Sequence, residues 1–188
     1  MKTCLCLLLV TLFLAGCGDS KARYVITPAE DSVQTRLSVS SIEVRDVSLP
    51  AYASASEIIV ENPDGALQPV AKAIWADDPL RAVTGALAQS LDVKSTAIVA
   101  AEPWPLSEAA DIQLTVRVDQ MIARADGTFA FSGQFAISSS TGAWRDRLQR
   151  FVVVVPMADT SAAAVAEATG RAIDGLADEV LALLKQRA

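Results

Sequence analysis

Apolar and polar residues alternate over the middle of this chain, a pattern typical of β-strands. Between residues 112 and 118, isoleucine, leucine and valine occupy every second position, with polar residues between them. Two further runs, 128–137 and 144–155, follow across glycine-containing turns, and three phenylalanines share one side of the first. Together these segments predict a meander of antiparallel strands.

Shorter apolar runs before the meander predict additional strands. The turn sequence Asn-Pro-Asp-Gly at 62–65 lies between two of them and indicates a hairpin. The run 37–44 changes phase at two adjacent serines, which fits either a bulge or a strand buried on both faces. The additional strands are predicted at 24–26, 37–44, 57–60, 68–75 and 97–100.

Two segments have the spacing of helices. Asp77, Asp78 and Pro79 precede apolar residues spaced three and four apart, so we predict a central helix capped by an aspartate. From residue 160 onward the chain is rich in alanine and keeps one apolar face. The predicted fold is therefore α/β: a mixed, largely antiparallel β-sheet with a central helix and a long C-terminal helix packed on it, in a single domain.

The N-terminal segment has the physical parts of an export signal. Lys2 is positive, residues 5–14 are apolar, and small residues precede Cys17. The apolar stretch is too short to span a bilayer, which takes roughly 20 apolar residues. Leu-Ala-Gly-Cys at 14–17 resembles a bacterial lipobox, and the resemblance implies cleavage between Gly16 and Cys17 and attachment of lipid to Cys17. The alternative is that Cys17 is an ordinary residue of a signal peptide.

This assignment divides the chain into a signal peptide at 1–16, a lipidated tether at 17–23 and a folded domain at 24–188. The tether residues after the cysteine span at most about 20 Å when extended, so the domain is expected to lie close to its membrane. Gly18 resembles the outer-membrane default of bacterial lipoproteins, whereas Asp19 leaves retention in the inner membrane open. We therefore expect a lipid anchor on the periplasmic face of the outer membrane, with the inner membrane as the alternative.

Charge and cysteine content exclude several classes of function. The chain carries 16 basic and 22 acidic residues, a net charge of −6; removal of residues 1–16 takes away Lys2, which leaves 15 against 22, or −7. An acidic domain argues against nucleic-acid binding, which requires clustered lysine and arginine. Cys4 and Cys6 leave with the signal peptide, so the mature chain is expected to have no disulfide and no free thiol.

The sequence contains no histidine, the commonest general base and transition-metal ligand. Lys72 and Lys94 are interpreted as solvated side chains, and the pair Asp77 and Asp78 as a helix cap rather than an acid and a base. We therefore predict no catalytic residues, no metal site and no cofactor. The protein is not expected to be an enzyme.

Tryptophan and arginine residues are the candidates for contact with a partner protein. Trp75 is expected in the core or at a hinge. Trp104 lies between two prolines and is equally well a packed loop residue or an exposed anchor for a partner. The arginines near Trp144 are most simply the solvated face of a strand. The alternative is a partner interface formed by Trp104, Trp144, Arg145 and Arg147.

Several short motifs occur in the order found in one protein family. In order and spacing they resemble the PqiC-like lipoproteins, also called ABC-type transport auxiliary lipoproteins, over nearly the whole mature chain. Ala53 stands where that family often has leucine and Asp77 where it often has glutamate, so its partner contacts do not transfer strictly. The motifs are Tyr-Val-Ile-Thr-Pro at 24–28, Leu-Pro-Ala-Tyr at 49–52, Glu-Ile-Ile-Val at 57–60 and Ile-Trp-Ala-Asp-Asp-Pro-Leu at 74–80.

The resemblance implies a non-enzymatic subunit of the cell envelope. Its expected partners are an MCE-domain protein and the ABC and permease components of a lipid transporter, and it is expected to contact the membrane through acyl chains on Cys17. Some relatives assemble as homo-oligomeric rings. The implied function is a docking or structural role in lipid traffic between membranes and in envelope integrity. The alternative is an amphiphile-binding or lipid-binding lipoprotein that carries lipid in its own groove.

Overall fold

The computed structural model describes residues 20–28, 34–139, 142 and 144–185. These residues form an eight-stranded mixed sheet and two helices in a single domain, which confirms the predicted α/β fold. The helices are α1 (Pro79–Lys94) and α2 (Ala162–Lys185). The strands are β1 (Ala22–Tyr24), β2 (Ser41–Val44), β3 (Glu57–Glu61), β4 (Leu67–Trp75), β5 (Ile98–Ala101), β6 (Ile112–Ala123), β7 (Thr128–Ser138) and β8 (Arg147–Pro156).

The three longest strands, β6, β7 and β8, form the predicted antiparallel meander. One face of the meander carries the aromatic core, where the rings of Phe131 and Phe151 lie 5.1 Å apart. A register shift in β6 between Val118 and Gln120 falls opposite Gly133. A Cβ at Gly133 would lie 2.2 Å from the Arg117 carbonyl oxygen, so glycine is required where the strands approach this closely.

The other edge of β6 carries two separate branches of the sheet. The β2–β5 branch pairs in parallel with the first part of β6, where Ile42 is opposite Ile112. The β3–β4–β1 branch meets the last residue of β6, where Val60 is opposite Ala123. Between the two branches, the chain after β2 follows β6 through a hydrogen bond from the Ser48 N–H to the carbonyl of Val116 (3.0 Å).

Both helices pack on the aromatic face of the sheet and against each other, α1 over β2 and β5 and α2 over β7 and β8. The predicted aspartate cap of α1 is confirmed, because the Asp78 carboxylate accepts the N–H of Arg81 at 3.1 Å. A Cβ at Gly170 in α2 would lie 2.1 Å from the Thr27 carbonyl oxygen, so this glycine lets the segment after β1 cross the helix. Neither described helix is long and apolar enough to cross a lipid bilayer.

Several strand boundaries differ from the prediction. The run 37–44 is a strand only from Ser41, because the Leu37 N–H donates to the Thr96 hydroxyl and not to a neighbouring strand (3.2 Å). The first strand ends at Tyr24 and does not begin there, and the last strand begins at Arg147 rather than at residue 144. In each case alternation located the apolar residues correctly, but the partner strand decided where the ladder ends.

Candidate functional site

The two branches of the sheet run toward each other, and a cleft lies where their ends meet. Strand β2 runs in the same direction as β6, whereas β4 is antiparallel to β3 and therefore opposite to β6. The carboxyl ends of β2 and β5 consequently point toward the carboxyl ends of β4 and β1. In open α/β sheets, ligands bind in crevices outside the carboxyl ends of strands, where the topology changes.

The cleft has a volume of about 670 Å³, within the range of small-molecule sites. Its wall is made by the segment that continues β1, by the end of β4 and by one face of α1. The apolar lining is contributed by Val25, Ile26, Trp75, Ala82, Ala86 and Ala101. The polar lining is contributed by Asp46, Asp77, Arg81, Thr84, Gln89 and Glu102.

Helix α1 presents one face to the cleft because of where it begins. The Asp78 cap starts the helix directly after β4, and Arg81, Gly85 and Gln89 then follow at intervals of four residues on the exposed side. Gly85 leaves room in this wall, since a Cβ added there would meet no atom within 4 Å. The buried Thr84 on the neighbouring face accepts the N–H of Val47 at 3.0 Å, which ties the chain after β2 to the helix.

Charged side chains surround the mouth of the cleft in pairs. Arg45 lies 2.8 Å from Glu102, and Arg81 lies 3.8 Å from Asp77. The Asp46 N–H also donates to the Glu102 carboxylate at 3.2 Å, which holds the loops after β2 and β5 together. An apolar interior with ionic groups of both signs at the mouth fits an amphiphile with a polar head and an apolar body.

A second polar cluster is buried between the helices, and it corrects the interpretation of Lys94 as a solvated residue. Lys94 is only 8% exposed, on the face of α1 that packs against α2. Its ammonium group lies 2.8 Å from the Asp178 carboxylate and donates to the Asp174 carbonyl at 3.2 Å. The Ser90 hydroxyl donates to the Asp174 carboxylate at 2.5 Å. The lysine can be buried because carboxylates of α2 compensate its charge. The cluster therefore links the two helices through polar contacts.

The predicted interface residues are not gathered in one place. Trp104 is half-buried, and its indole N–H donates to the Glu108 carbonyl at 2.7 Å, which closes the loop after β5. Trp144 is buried in the hydrophobic core, so its side chain contributes to packing and not to an exposed surface. Arg145 and Arg147 are exposed at the start of β8, on the opposite side of the sheet from β5.

The predicted lipidation and cleavage residues, Cys17 and Gly16, lie outside the described residues. Trp75 is buried in the core, as predicted, and one edge of it also borders the cleft. The alternative of a lipid-binding groove did not predict where in the fold a cleft would lie. The motifs at 24–28 and 74–80 contain several of its lining residues, but nothing in their local pattern indicated that they would meet.

Residues 24–181 match the family model described as "ABC-type transport auxiliary lipoprotein component". The chain belongs to this family. The match covers the last residue of β1, the strands β2 to β8, the helix α1 and α2 up to residue 181. It therefore spans nearly all of the described domain.

Solved structures with TM-scores of 0.60 and 0.65 share the fold at low sequence identity. A Xanthomonas campestris protein of the DUF330 family is 19% identical with a TM-score of 0.60, and covers 89% of this chain and 98% of its own. An uncharacterized protein is 14% identical with a TM-score of 0.65, over 84% of this chain and 98% of its own. A putative lipoprotein of Caulobacter crescentus is 14% identical over 56% of this chain and 82% of its own, with a TM-score of 0.36. A search of curated proteins finds no significant match.

Proposed function

We propose that this protein is the lipid-anchored periplasmic subunit of an MCE/ABC-type lipid transport system, docked at the outer membrane through acyl chains on Cys17. The observation that carries the proposal is the family match over residues 24–181, which makes the chain an auxiliary lipoprotein of ABC-type transport. The lipobox-like run at 14–17 and the short tether support a domain held against a membrane. In this role the protein binds partners and carries out no reaction.

The absence of histidine in the sequence supports a non-catalytic role, since acid–base catalysis near neutral pH most often uses it. Among the described residues, no group of three or more histidine, cysteine, aspartate or glutamate side chains is arranged to hold a metal ion. The buried Ser90 and Lys94 are both engaged by carboxylates of α2.

Affinity capture tests the proposed partners. A tagged full chain extracted from solubilised envelope is expected to bring down an MCE-domain protein and ABC or permease components. A tagged outer-membrane lipoprotein of another family, expressed at the same level, serves as the control. Recovery of this protein without any such component would contradict the proposal.

The cleft favours a second candidate, in which the protein binds an amphiphile directly. Its apolar interior and paired charges suit one lipid-like molecule, and its mouth is bordered by Val25, eight residues after Cys17. That distance is at most about 28 Å of extended chain, so the cleft would open near the bilayer surface. The docking role does not require a ligand in this cleft, which separates the two candidates.

Gly85→Trp is expected to exclude a ligand from the cleft without unfolding the domain, because Gly85 lines the cleft and a Cβ added there meets no atom within 4 Å. Native mass spectrometry of the wild-type full chain should then show one additional lipid-sized mass beyond the acyl anchor, and Gly85→Trp should lose it. Leu67→Trp, at the far end of β4, is the matched control and should keep the ligand. Equal lipid retention in the wild type and in Gly85→Trp would refute amphiphile binding in the cleft.

A further inference from the structure

Strand β8 is an open edge of the sheet. Within the described residues it pairs with β7 alone, in an unbroken antiparallel register from Thr128 opposite Pro156 to Ile137 opposite Arg147. Proteins usually protect such edges with bulges, central prolines, lysines or a covering loop. A regular ten-residue strand without a bulge instead presents a template for another strand.

The backbone groups at this edge alternate in direction. The Met157 N–H donates to the Gly127 carbonyl at 2.8 Å, so residue 157 faces β7. The backbone N–H and carbonyl groups of adjacent strand residues point in opposite directions within the sheet. Those of the odd-numbered residues of β8 therefore point toward β7, and those of the even-numbered residues point toward the free side. The backbone groups that point away from the edge, in the plane of the sheet, are therefore those of Leu148, Arg150, Val152 and Val154.

The side chains of the same residues form an exposed apolar row. Phe151 and Val155 are buried toward the helices, so the even-numbered side chains lie on the opposite, open face. Leu148 is 70% exposed, Val152 72% and Val154 52%. Three exposed apolar side chains beside an unpaired row of backbone groups are an unusual combination on the surface of a monomer.

This edge is also locally basic in an acidic protein. Residues 145–156 contain three arginines and one aspartate, a net charge of +2, whereas the whole chain has −6. Arg150 lies 3.9 Å from Asp119, and both side chains are more than half exposed. At that distance and exposure the pair is weak, so the arginine remains available to a stronger partner.

We infer that β8 is the docking edge for an extended, acidic segment of a partner protein, which adds to the sheet as a further strand. The partner's backbone would pair with the outward groups of β8, as in other cases of strand addition. Its apolar side chains would cover Leu148, Val152 and Val154 on the open face. A carboxylate on that same face would meet Arg150, and carboxylates on the opposite face would meet Arg147. This assigns a contact surface without depending on which transporter the partner belongs to.

Two other occupants fit these observations less well. A second copy of the chain would bring its own +2 edge against this one, and like charges on paired strands are destabilising. An anionic membrane would attract the arginines but could not pair with a row of alternating N–H and carbonyl groups. An acidic extended segment satisfies the backbone, the apolar row and the charge together.

The test uses the full chain in detergent and a fluorescent eight-residue peptide that alternates valine and glutamate. The fluorescence anisotropy of this peptide should rise as it binds the protein. A peptide that alternates valine and lysine should not bind. Val152→Pro removes one outward N–H from an edge strand, where proline is tolerated, and should weaken binding about tenfold. Val152→Glu keeps that donor and should weaken binding through charge, whereas Ile98→Glu, 58% exposed on the opposite edge, should not.

Four results would each overturn the inference. The first is that the glutamate peptide does not bind, and the second is that both peptides bind equally well. The third is that both Val152 variants bind the glutamate peptide as tightly as the wild type, and the fourth is that Ile98→Glu weakens binding as much as Val152→Glu does. If the peptide does not bind and light scattering shows self-association that Val152→Glu abolishes, the edge would be assigned to a second copy of the chain. If the peptide does not bind and the protein prefers phosphatidylglycerol vesicles to phosphatidylcholine vesicles, and Val152→Glu abolishes that preference, the edge would be assigned to the membrane.

Discussion

Cys17→Ala is expected to abolish acylation of the protein and release it from the membrane. The lipobox-like run places this cysteine directly after two small residues, and it is the only cysteine that remains once residues 1–16 are removed. Each buried methylene of an acyl chain contributes about 0.8 kcal/mol, and stable anchoring takes more than one chain or a second signal. The mature domain has a net charge of −7, so charge offers no second route to an anionic membrane.

Intact-mass measurement of the protein recovered from both the membrane and the soluble fractions checks this prediction. The wild type should begin at Cys17 and carry two or more acyl chains, whereas Cys17→Ala should carry none and should not be cut between residues 16 and 17. Cys6→Ala is the matched control, because Cys6 lies inside the signal segment and should leave the mature mass unchanged. An identical N-terminus without acyl mass in both the wild type and Cys17→Ala would mean that Cys17 is an ordinary signal-peptide residue.

Lys94→Met is expected to lower the free energy of unfolding by about 3–5 kcal/mol, the usual cost of breaking a buried ion pair from one side. The two carboxylates would respond differently. Asp178 is 65% exposed and would be solvated without the lysine, whereas Asp174 is 9% exposed and would keep its charge in the core. The Ser90 hydroxyl would still donate to the Asp174 carboxylate.

Urea denaturation of the full chain measures this effect. The double variant Lys94→Met with Asp174→Asn should recover a large part of the lost stability, since the second change removes the buried negative charge that Lys94 no longer faces. Arg81→Met breaks the exposed pair with Asp77, at 82% and 59% exposure, and should cost no more than about 0.5 kcal/mol. If Lys94→Met lowered the free energy of unfolding as little as Arg81→Met does, the buried cluster would not stabilise the packing of the two helices.

The proposed roles use different parts of the molecule. The anchor is expected at Cys17, the cleft lies between the two branches beside β6, and the open edge β8 lies on the other side of the sheet. Loss of binding at one of these places should therefore leave the others intact, so Gly85→Trp and Val152→Pro should have independent effects. This separation allows the docking role and the amphiphile-binding role to be tested in the same protein.

Local patterns in the sequence were enough to predict most of the secondary structure. Alternation at 112–118 located β6, the Asn-Pro-Asp-Gly turn located the β3–β4 hairpin, and Asp78 marked the start of α1. These predictions succeed because strand alternation, turn dihedrals and helix capping depend on neighbours within a few residues. The order of short motifs also indicated the family that the match over 24–181 then established.

Three features arose only from contacts between residues distant in sequence. Lys94 is 8% exposed because carboxylates about 80 residues later approach it, as the separation of 84 from Asp178 shows. The cleft exists because β2 and β3 share one edge of β6, and β8 is an open edge because no described strand joins it. Periodicity records which side of a strand is buried, but it carries no information about which strand lies beside it. The sequence therefore determined the elements, the expected anchor and the family, whereas the pairing of strands decided where a ligand or partner can bind.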